Sequence, residues 1–336
     1  MSGAPESPEG TPANASHRLA QRIREEGPVS FAVFMETALY DPEGGYYRQE
    51  RRRIGTASGT DFYTAYSTGE VFATLVATAA NGLLGDPPAE PHELVELGVE
   101  PDASLWSAAP PPFAGLRSLG RGAALDIPAR AAVFSNELFD AQPFHRVRFR
   151  GGRWHEAGVD FDGERFVETL LAEPTPAVRA RWPCLPGNAF ENAALDLSLG
   201  AVALLERIAA KPWYGVFLAF DYGKRWEELV AEHTGGTLRA YRRHRQAPDI
   251  LERPGEQDLT GHICWDWMFE TLEAHGFRDL RLESQEAFFV HHARPAIEAI
   301  IAGRPGLPDP ARRRLHELIH PGRMGQKFQV LSARRP

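Results

Sequence analysis

The sequence predicts an α/β protein built around a mainly parallel β-sheet, and three observations support this prediction. Short, almost continuous apolar runs occur at residues 94–97, 131–135 and 215–220, as is typical of strands buried on both faces of a parallel sheet. Each run ends in glycine or polar residues, which suits the carboxyl edge of an open sheet, where ligands bind. Apolar residues spaced three and four apart predict helices before and between these runs.

The composition limits the classes of function. The chain has 336 residues, of which 43% are hydrophobic and 24% charged, as in ordinary soluble globular proteins. Its net charge of −8 argues against nucleic-acid binding by bulk electrostatics, and no apolar run approaches the ~20 residues of a membrane span. Cys184 and Cys264 make neither a disulfide framework nor a metal-ligand cluster. We therefore expect a cytoplasmic protein that binds neither nucleic acid nor membranes.

The chain divides into three predicted regions. Residues 1–16 are rich in Pro, Gly, Ser and Ala and are predicted to be a disordered leader. Residues 17–90 are predicted to form a helical N-terminal region, with helices that begin near His17, after a Ser30 cap and near Ser67. Residues 91–336 are then expected to form the sheet domain.

Further elements are predicted within the sheet domain. Residues 145–159 alternate around a Gly-Gly pair and predict a β-hairpin. Residues 195–208 predict an amphipathic helix, and residues 327–331 predict a last strand. Residues 277–282 and 287–290 are candidates for further strands.

The strand ends carry the candidate chemistry. Gly98 either ends a buried strand or lets the backbone approach a ligand, but no GxGxxG pattern supports a nicotinamide dinucleotide. Glu137 and Asp140 follow the second run and are three residues apart, so a helical turn would place both carboxylates on one face. They are either acids at a helix start or a carboxylate pair facing a cleft. Asp221 is equally either a loop cap or a cleft residue.

The order of several motifs resembles a known family. The motifs are SFAVFMETALY at residues 30–40, GGYY at 44–47, DFYT at 61–64, ELG at 96–98, NELFDA at 136–141, DYG at 221–223, PGEQDLT at 254–260 with His262, and HP at 320–321 with MG at 324–325. In this order they resemble the MidA family of S-adenosylmethionine-dependent methyltransferases. The resemblance implies a seven-stranded class I methyltransferase (Rossmann-like) sheet with helical additions at both ends.

The resemblance also implies a cofactor, a partner and roles for particular residues. The cofactor is S-adenosylmethionine, and the partner is a protein substrate or assembly partner that is methylated on arginine. Glu137 and Asp140 are the implied catalytic residues, because carboxylates can orient a guanidinium and one of them can accept its proton. The implied cofactor-binding residues are Asp61, Thr64, Glu96, Gly98, Asn136 and Asp221.

The chain departs from the family pattern after Gly98, where it has Glu100 and Pro101 in place of a run of glycines. The side chain of Glu100 would crowd the cofactor and bring negative charge toward its carboxylate, and Pro101 removes an amide donor. A complete sheet would need about 67 residues between its first and fourth strands, whereas the chain has about 33. We therefore expect a missing strand–helix unit. For the acid that grips the ribose at the end of the second strand, Asp126 is the candidate.

Three functions are compatible with these observations. The first is an active methyltransferase with a remodelled cofactor loop, acting on a protein side chain. The second is a catalytically inactive relative that serves as a binding or assembly module. The third is a different small-molecule enzyme on the same scaffold. The retained strand-end acids favour the first function, and the lost glycines and the shortened sheet favour the second.

Overall fold

The computed structural model describes residues 14–49, 65–85, 90–100, 104–242, 245–303 and 309–336. The helices are α1 (Ala15–Glu26), α2 (Phe31–Tyr40), α3 (Glu70–Leu84), α4 (Pro176–Arg181), α5 (Leu199–Ala209), α6 (Trp226–Glu232), α7 (Trp265–Ala274), α8 (Gln285–His292), α9 (Arg294–Ala302) and α10 (Pro310–Ile319). The strands are β1 (Val29–Ser30), β2 (Glu93–Val99), β3 (Gly115–Gly120), β4 (Arg130–Asn136), β5 (His145–Arg150), β6 (Arg153–Phe161), β7 (Phe166–Leu170), β8 (Ala194–Leu197), β9 (Tyr214–Asp221), β10 (Gly223–Lys224), β11 (Arg239–Arg242), β12 (Arg245–Ala247), β13 (Asp258–Thr260), β14 (Ile263–Cys264), β15 (Arg278–Ser284) and β16 (Gln329–Arg335).

The chain forms two compact units, each made of segments that are distant in sequence. The first unit contains residues 1–51, 143–197 and 234–260, and the second contains residues 52–142, 198–233 and 261–336. The division into a leader (1–16), a helical region (17–90) and a Rossmann-like domain (91–336) stays a prediction. Residues 1–13 of the predicted leader lie outside the described residues.

The second unit contains the predicted α/β sheet, in the strand order β15-β16-β9-β4-β2-β3. Strands β3, β2, β4 and β9 run parallel, whereas β16 is antiparallel to both of its neighbours. The centres of β2, β4 and β9 are fully buried, which explains their almost unbroken apolar sequences. On one face, Phe134 of β4 packs edge-on against Phe72 of α3 and Phe220 of β9.

The sheet is shortened where the sequence predicted it to be. Among the described residues between β2 and β4 there is one strand, β3, and no helix. Residues 110–112 are consecutive prolines, which cannot occupy a helix interior. Strand β3 therefore forms the edge of the sheet next to β2 without a helical crossover in the described part of the connection.

The first unit is a mostly antiparallel sheet with helices α1 and α2. Strands β1, β6, β5 and β8 are neighbours in that order, and β7 pairs with β6. Strands β5 and β6 form a hairpin whose turn residues, Gly151 and Gly152, have φ angles of 56° and 79°. Residues with a side chain rarely adopt this left-handed conformation, whereas glycine adopts it readily. The Gly-Gly pair therefore allows the two-residue turn.

Two element predictions were wrong because tertiary contacts override local patterns. Residues 195–197 belong to strand β8 rather than to a helix, since they pair with β5 and are buried, and helix α5 begins only at Leu199. Residues 287–290 belong to helix α8 rather than to a strand. Ser284 caps this helix by accepting a hydrogen bond from the Ala287 amide at 3.2 Å, and Phe288 and Phe289 are both buried in the core.

Candidate active site

The candidate active site lies at the carboxyl edge of the parallel strands in the second unit. The strands are in register there, because Leu97 of β2 pairs with Ser135 of β4, and Asn136 pairs with Phe220 of β9. The last residues of these three strands and the residues that follow them therefore lie side by side. They include five of the predicted site residues and one neighbouring tyrosine, namely Gly98, Asn136, Glu137, Asp140, Asp221 and Tyr222.

Glu137 is held in place by both its backbone and its side chain. Its φ angle of 50° is unusual for a residue with a side chain. Its amide donates to the Phe220 carbonyl at 2.9 Å, and its carboxylate accepts from Asn136 Nδ2 at 2.9 Å and from the Tyr222 hydroxyl at 3.3 Å. Burial and the neighbouring Asp140 carboxylate raise the pKa of Glu137 to about 8, although these two hydrogen bonds and Arg121 lower it.

The predicted helical turn at Glu137 and Asp140 is not formed. Residues 137–142 form an irregular turn, because Glu137 takes the left-handed conformation and the Phe139 amide donates to Asp221 Oδ2 at 2.9 Å. The two acids remain close enough that each affects the electrostatics of the site. Asp140 is buried, with 3% of its surface exposed, and its carbonyl accepts from the Gly261 amide at 3.0 Å.

Asp221 connects the end of β9 to the turn after β4. It is completely buried, and its two carboxylate oxygens accept hydrogen bonds from the amides of Phe139 and Tyr222, both at 2.9 Å. Burial and the Asp140 carboxylate raise its pKa well above the ordinary value, against these two hydrogen bonds. Of the two alternatives left open by the sequence, these contacts make Asp221 a loop cap. Its predicted role in cofactor binding remains a prediction.

Glu96 organises the chain that follows β2. Its carboxylate is completely buried and accepts four hydrogen bonds. The donors are the Tyr66 hydroxyl at 2.7 Å, Ser104 Oγ at 2.7 Å, the Leu105 amide at 3.2 Å and Ser118 Oγ at 3.3 Å. The Glu96 carboxylate therefore joins strand β3, the residues after β2 and the start of the helical segment before α3.

Gly98 has a structural reason to be glycine. Its φ angle is 75°, and a Cβ atom at this position would lie 2.7 Å from Leu138 Cδ1. Both the conformation and the close approach of Leu138 therefore disfavour a side chain at this position. The other two cofactor candidates, Asp61 and Thr64, lie outside the described residues.

Arg121 is the main residue of this edge that the sequence reasoning missed. It directly follows β3, and its Nη2 donates to the Glu137 carbonyl at 2.8 Å, while its Nε lies 3.9 Å from Glu100 Oε1. The charge of Glu100, which was expected to oppose the cofactor carboxylate, therefore has a nearby counter-charge. The guess that Asp126 ends the second strand was wrong, because β3 ends at Gly120 and Asp126 lies in the next loop, paired with Arg117.

The residues present fit a cationic cofactor. Three carboxyl groups, those of Glu137, Asp140 and Asp221, lie at this edge, and burial makes the ionisation of Glu137 and Asp221 unfavourable without a compensating positive charge. Among the described residues, neither Asn136 Oδ1 nor Ser135 Oγ has a hydrogen-bond partner, although both atoms are buried. The edge thus offers hydrogen-bonding groups and negative charge to a ligand that carries a sulfonium and an ammonium group.

No group of three or more His, Cys, Asp or Glu side chains is arranged to hold a metal ion in the described part of the chain. Within the same residues, no helix has both the length and the apolar character needed to cross a membrane.

Comparisons with known proteins agree with this chemistry. Residues 122–282 match the family described as "Putative S-adenosyl-L-methionine-dependent methyltransferase". The Drosophila melanogaster protein named "Protein arginine methyltransferase NDUFAF7 homolog, mitochondrial" is 24% identical over 94% of this chain and 83% of its own length. The Danio rerio protein named "Protein arginine methyltransferase NDUFAF7, mitochondrial" is 23% identical over 94% of this chain and 85% of its own length.

Two crystal structures from Burkholderia thailandensis share the fold. A COG1565 superfamily member bound to S-adenosyl-homocysteine has a TM-score of 0.80 and 22% identity, covering 98% of this chain and 95% of that chain. A native structure of a COG1565 superfamily protein has a TM-score of 0.76 and 24% identity, with the same coverage. These similarities confirm the predicted fold class.

The family match also confirms the resemblance to S-adenosylmethionine-dependent methyltransferases and the class of the cofactor. The expected cytoplasmic location is contradicted, because the named relatives from Drosophila, Danio and Rattus norvegicus are mitochondrial proteins.

Proposed function

Because the chain is related to S-adenosylmethionine-dependent methyltransferases, we propose that it transfers a methyl group to an arginine side chain of a protein. The observation that supports this acceptor is the pair of carboxyls at the carboxyl edge of the sheet, the half-buried Glu137 and the buried Asp140. A guanidinium is a cation with several donors, and carboxylates are the groups that orient it best. The names of the Drosophila and Danio relatives agree with an arginine acceptor.

The acid residues have two tasks in this reaction. S-adenosylmethionine supplies a methyl group activated by its sulfonium. An arginine is protonated up to a pKa above ~12 and is then a poor nucleophile, so the attacking nitrogen must give up a proton. Glu137 is placed to accept this proton at its carboxylate, and its raised pKa of about 8 makes it a stronger base than an ordinary carboxylate. Asp140 holds the remaining positive charge of the guanidinium close to Glu137.

The remaining predicted residues fall into two groups in this proposal. Asn136 would contact the cofactor directly, because its Oδ1 is buried and has no hydrogen-bond partner among the described residues. Gly98 would present its backbone to the amino-acid end of the cofactor. Glu96 and Asp221 would act mainly by fixing the turns around the cofactor, since backbone and hydroxyl donors already bind their carboxylates.

Cofactor binding is tested first by calorimetric titration with S-adenosylmethionine and S-adenosylhomocysteine. Binding heat is expected for both ligands. An absence of heat with about 1 mM of either ligand would refute the methyltransferase proposal and favour the inactive binding or assembly module.

The acceptor and the role of Glu137 are tested by methyl transfer to arginine-containing and lysine-containing peptides, followed by mass spectrometry. Methylation is expected only on the arginine peptides. Glu137→Gln should lower kcat by about 10²- to 10⁴-fold, with less than about a threefold change in S-adenosylhomocysteine affinity. Glu206→Gln, on the exposed side of α5, is the matched control and should leave both quantities unchanged. An unchanged kcat in Glu137→Gln would remove this residue from the mechanism.

A further inference from the structure

We propose that Arg121 is a positioning residue for Glu137, a role that rests on the proposed methyltransferase function. The family resemblance places an acid at the end of the second strand to accept hydrogen bonds from a ribose. This chain has Arg121 there, one residue beyond β3. A guanidinium only donates hydrogen bonds, so Arg121 cannot take over the role of that acid.

The backbone conformation of Glu137 depends on contacts with its surroundings. Its φ angle of 50° is a conformation that costs a residue with a side chain about 1 kcal/mol or more. The surrounding structure must therefore stabilise this conformation. Two hydrogen bonds do so from opposite ends of the residue: the Glu137 amide donates to the Phe220 carbonyl at 2.9 Å, and Arg121 Nη2 donates to the Glu137 carbonyl at 2.8 Å.

Arg121 is itself held in place by its surroundings. Its side chain is 15% exposed, and its guanidinium lies beside Glu100, which is 14% exposed, with 3.9 Å between Arg121 Nε and Glu100 Oε1. A planar guanidinium can bind a carbonyl and face a carboxylate at the same time, which a shorter or neutral side chain cannot do. The contact therefore links the turns after β2, β3 and β4.

Arg121 also acts on Glu137 through its charge. Among the described residues that act on the Glu137 carboxyl, the cation is Arg121, which follows β3. The other titratable groups are Asp140 on the same turn, Asp221 and Tyr222 at the end of β9, and Tyr66 before α3. Burial and the Asp140 carboxylate raise the pKa of Glu137, whereas the hydrogen bonds from Asn136 and Tyr222 and the charge of Arg121 lower it, so Arg121 favours the ionised carboxylate.

The experiment measures the ionisation of Glu137 directly, without cofactor. The protein is labelled with ¹³C at the glutamate side-chain carboxyl carbon, and Glu137 is assigned by its loss in Glu137→Gln. We expect Glu137 of the native protein to titrate near pH 8, and Arg121→Met to raise its pKa by about one unit or more. Arg121→Lys, which keeps the charge and one donor, should recover at least about half of this shift.

Arg117→Met is the matched control. Arg117 lies in strand β3, but it pairs with Glu93 and Asp126 instead of Glu137. This variant should leave the titration of Glu137 within about 0.2 unit of the native value. An unchanged titration in Arg121→Met, or an equal shift in Arg117→Met, would overturn the proposal. If Arg121→Met does not fold, Arg121→Lys is compared with Arg121→Gln. Of these two variants only Arg121→Gln removes the positive charge, so it should show the larger rise in the pKa of Glu137.

The pH dependence of kcat/KM connects this positioning to catalysis. In Arg121→Met, the ionisation that limits kcat/KM on the acid side should move upward with the titration of Glu137, and S-adenosylhomocysteine should still bind. A pH profile that does not move would overturn the positioning role. Failure of the native protein to bind S-adenosylmethionine would instead refute the proposed function, so the two failures are distinguishable.

Discussion

Replacing Glu137 by Gln tests whether the site contains a carboxyl that resists ionisation in the folded protein. The pKa of Glu137 is raised from 4.5 to about 8, first by burial and then by Asp140. Between these two pH values the folded protein holds a proton that the unfolded chain has released. The native protein should therefore lose stability as pH rises from about 4.5 to about 8, whereas Glu137→Gln, which has no titrating group at this position, should not show this loss.

The two pKa values set the size of the effect. A single group that shifts from 4.5 to about 8 lowers the free energy of unfolding by about 2.6 kcal/mol between pH 6 and pH 9. The Glu137 side chain remains partly accessible to water, which weakens this effect. We therefore expect the free energy of unfolding to fall by about 1 to 2 kcal/mol between the two pH values.

The assay is urea unfolding of the native protein and Glu137→Gln near pH 6 and near pH 9. The stability difference between the two proteins is compared at the two pH values, which cancels the constant effect of altered hydrogen bonds to Asn136 and Tyr222. Glu206→Gln serves as the control, and its stability relative to the native protein should not depend on pH. If the stability difference between the native protein and Glu137→Gln changes by less than about 0.3 kcal/mol between the two pH values, the pKa of the Glu137 carboxyl is not raised in the folded protein.

Two further substitutions test contacts inside each of the two units. Gly98→Ala should destabilise by about 1 kcal/mol more than Gly152→Ala in urea unfolding, because both glycines have φ angles near 75° but only the methyl at position 98 would meet Leu138; equal losses would contradict this. Asp196→Asn should lower the free energy of unfolding by about 2 to 4 kcal/mol, because it leaves the buried Arg146 guanidinium with Glu168, at 3.3 Å, as its remaining charged partner; a loss below about 1 kcal/mol would contradict this.

The strands and the candidate site residues at their ends could be located from the sequence because the signals are local. A strand buried on both faces has an apolar sequence, and the residue that ends it must be polar or glycine, so Gly98, Glu137 and Asp221 are visible from the sequence alone. The missing strand–helix unit was equally predictable, because chain length sets an upper limit on the elements that fit between two strands.

The contacts that complete the site could not be predicted in the same way. Arg121 reaches the Glu137 carbonyl from a neighbouring strand, 16 positions away in the chain, and no local pattern distinguishes it from the other arginines. The four hydrogen bonds to Glu96 likewise come from three separate segments. Residues 195–197 show the same limit for secondary structure, since their pairing with β5 decides between strand and helix.

Arg121 also changes how the altered cofactor turn should be interpreted. From the sequence, Glu100 seemed to work against a cofactor, because it adds negative charge where the family has glycine. In the fold, Arg121 lies beside Glu100 and also binds the turn that carries Glu137. The negative charge added after β2 is thus offset by a positive charge added after β3, and the excess of acids beyond β4 and β9 is preserved for a cationic ligand. The loss of glycines is therefore compatible with an active enzyme.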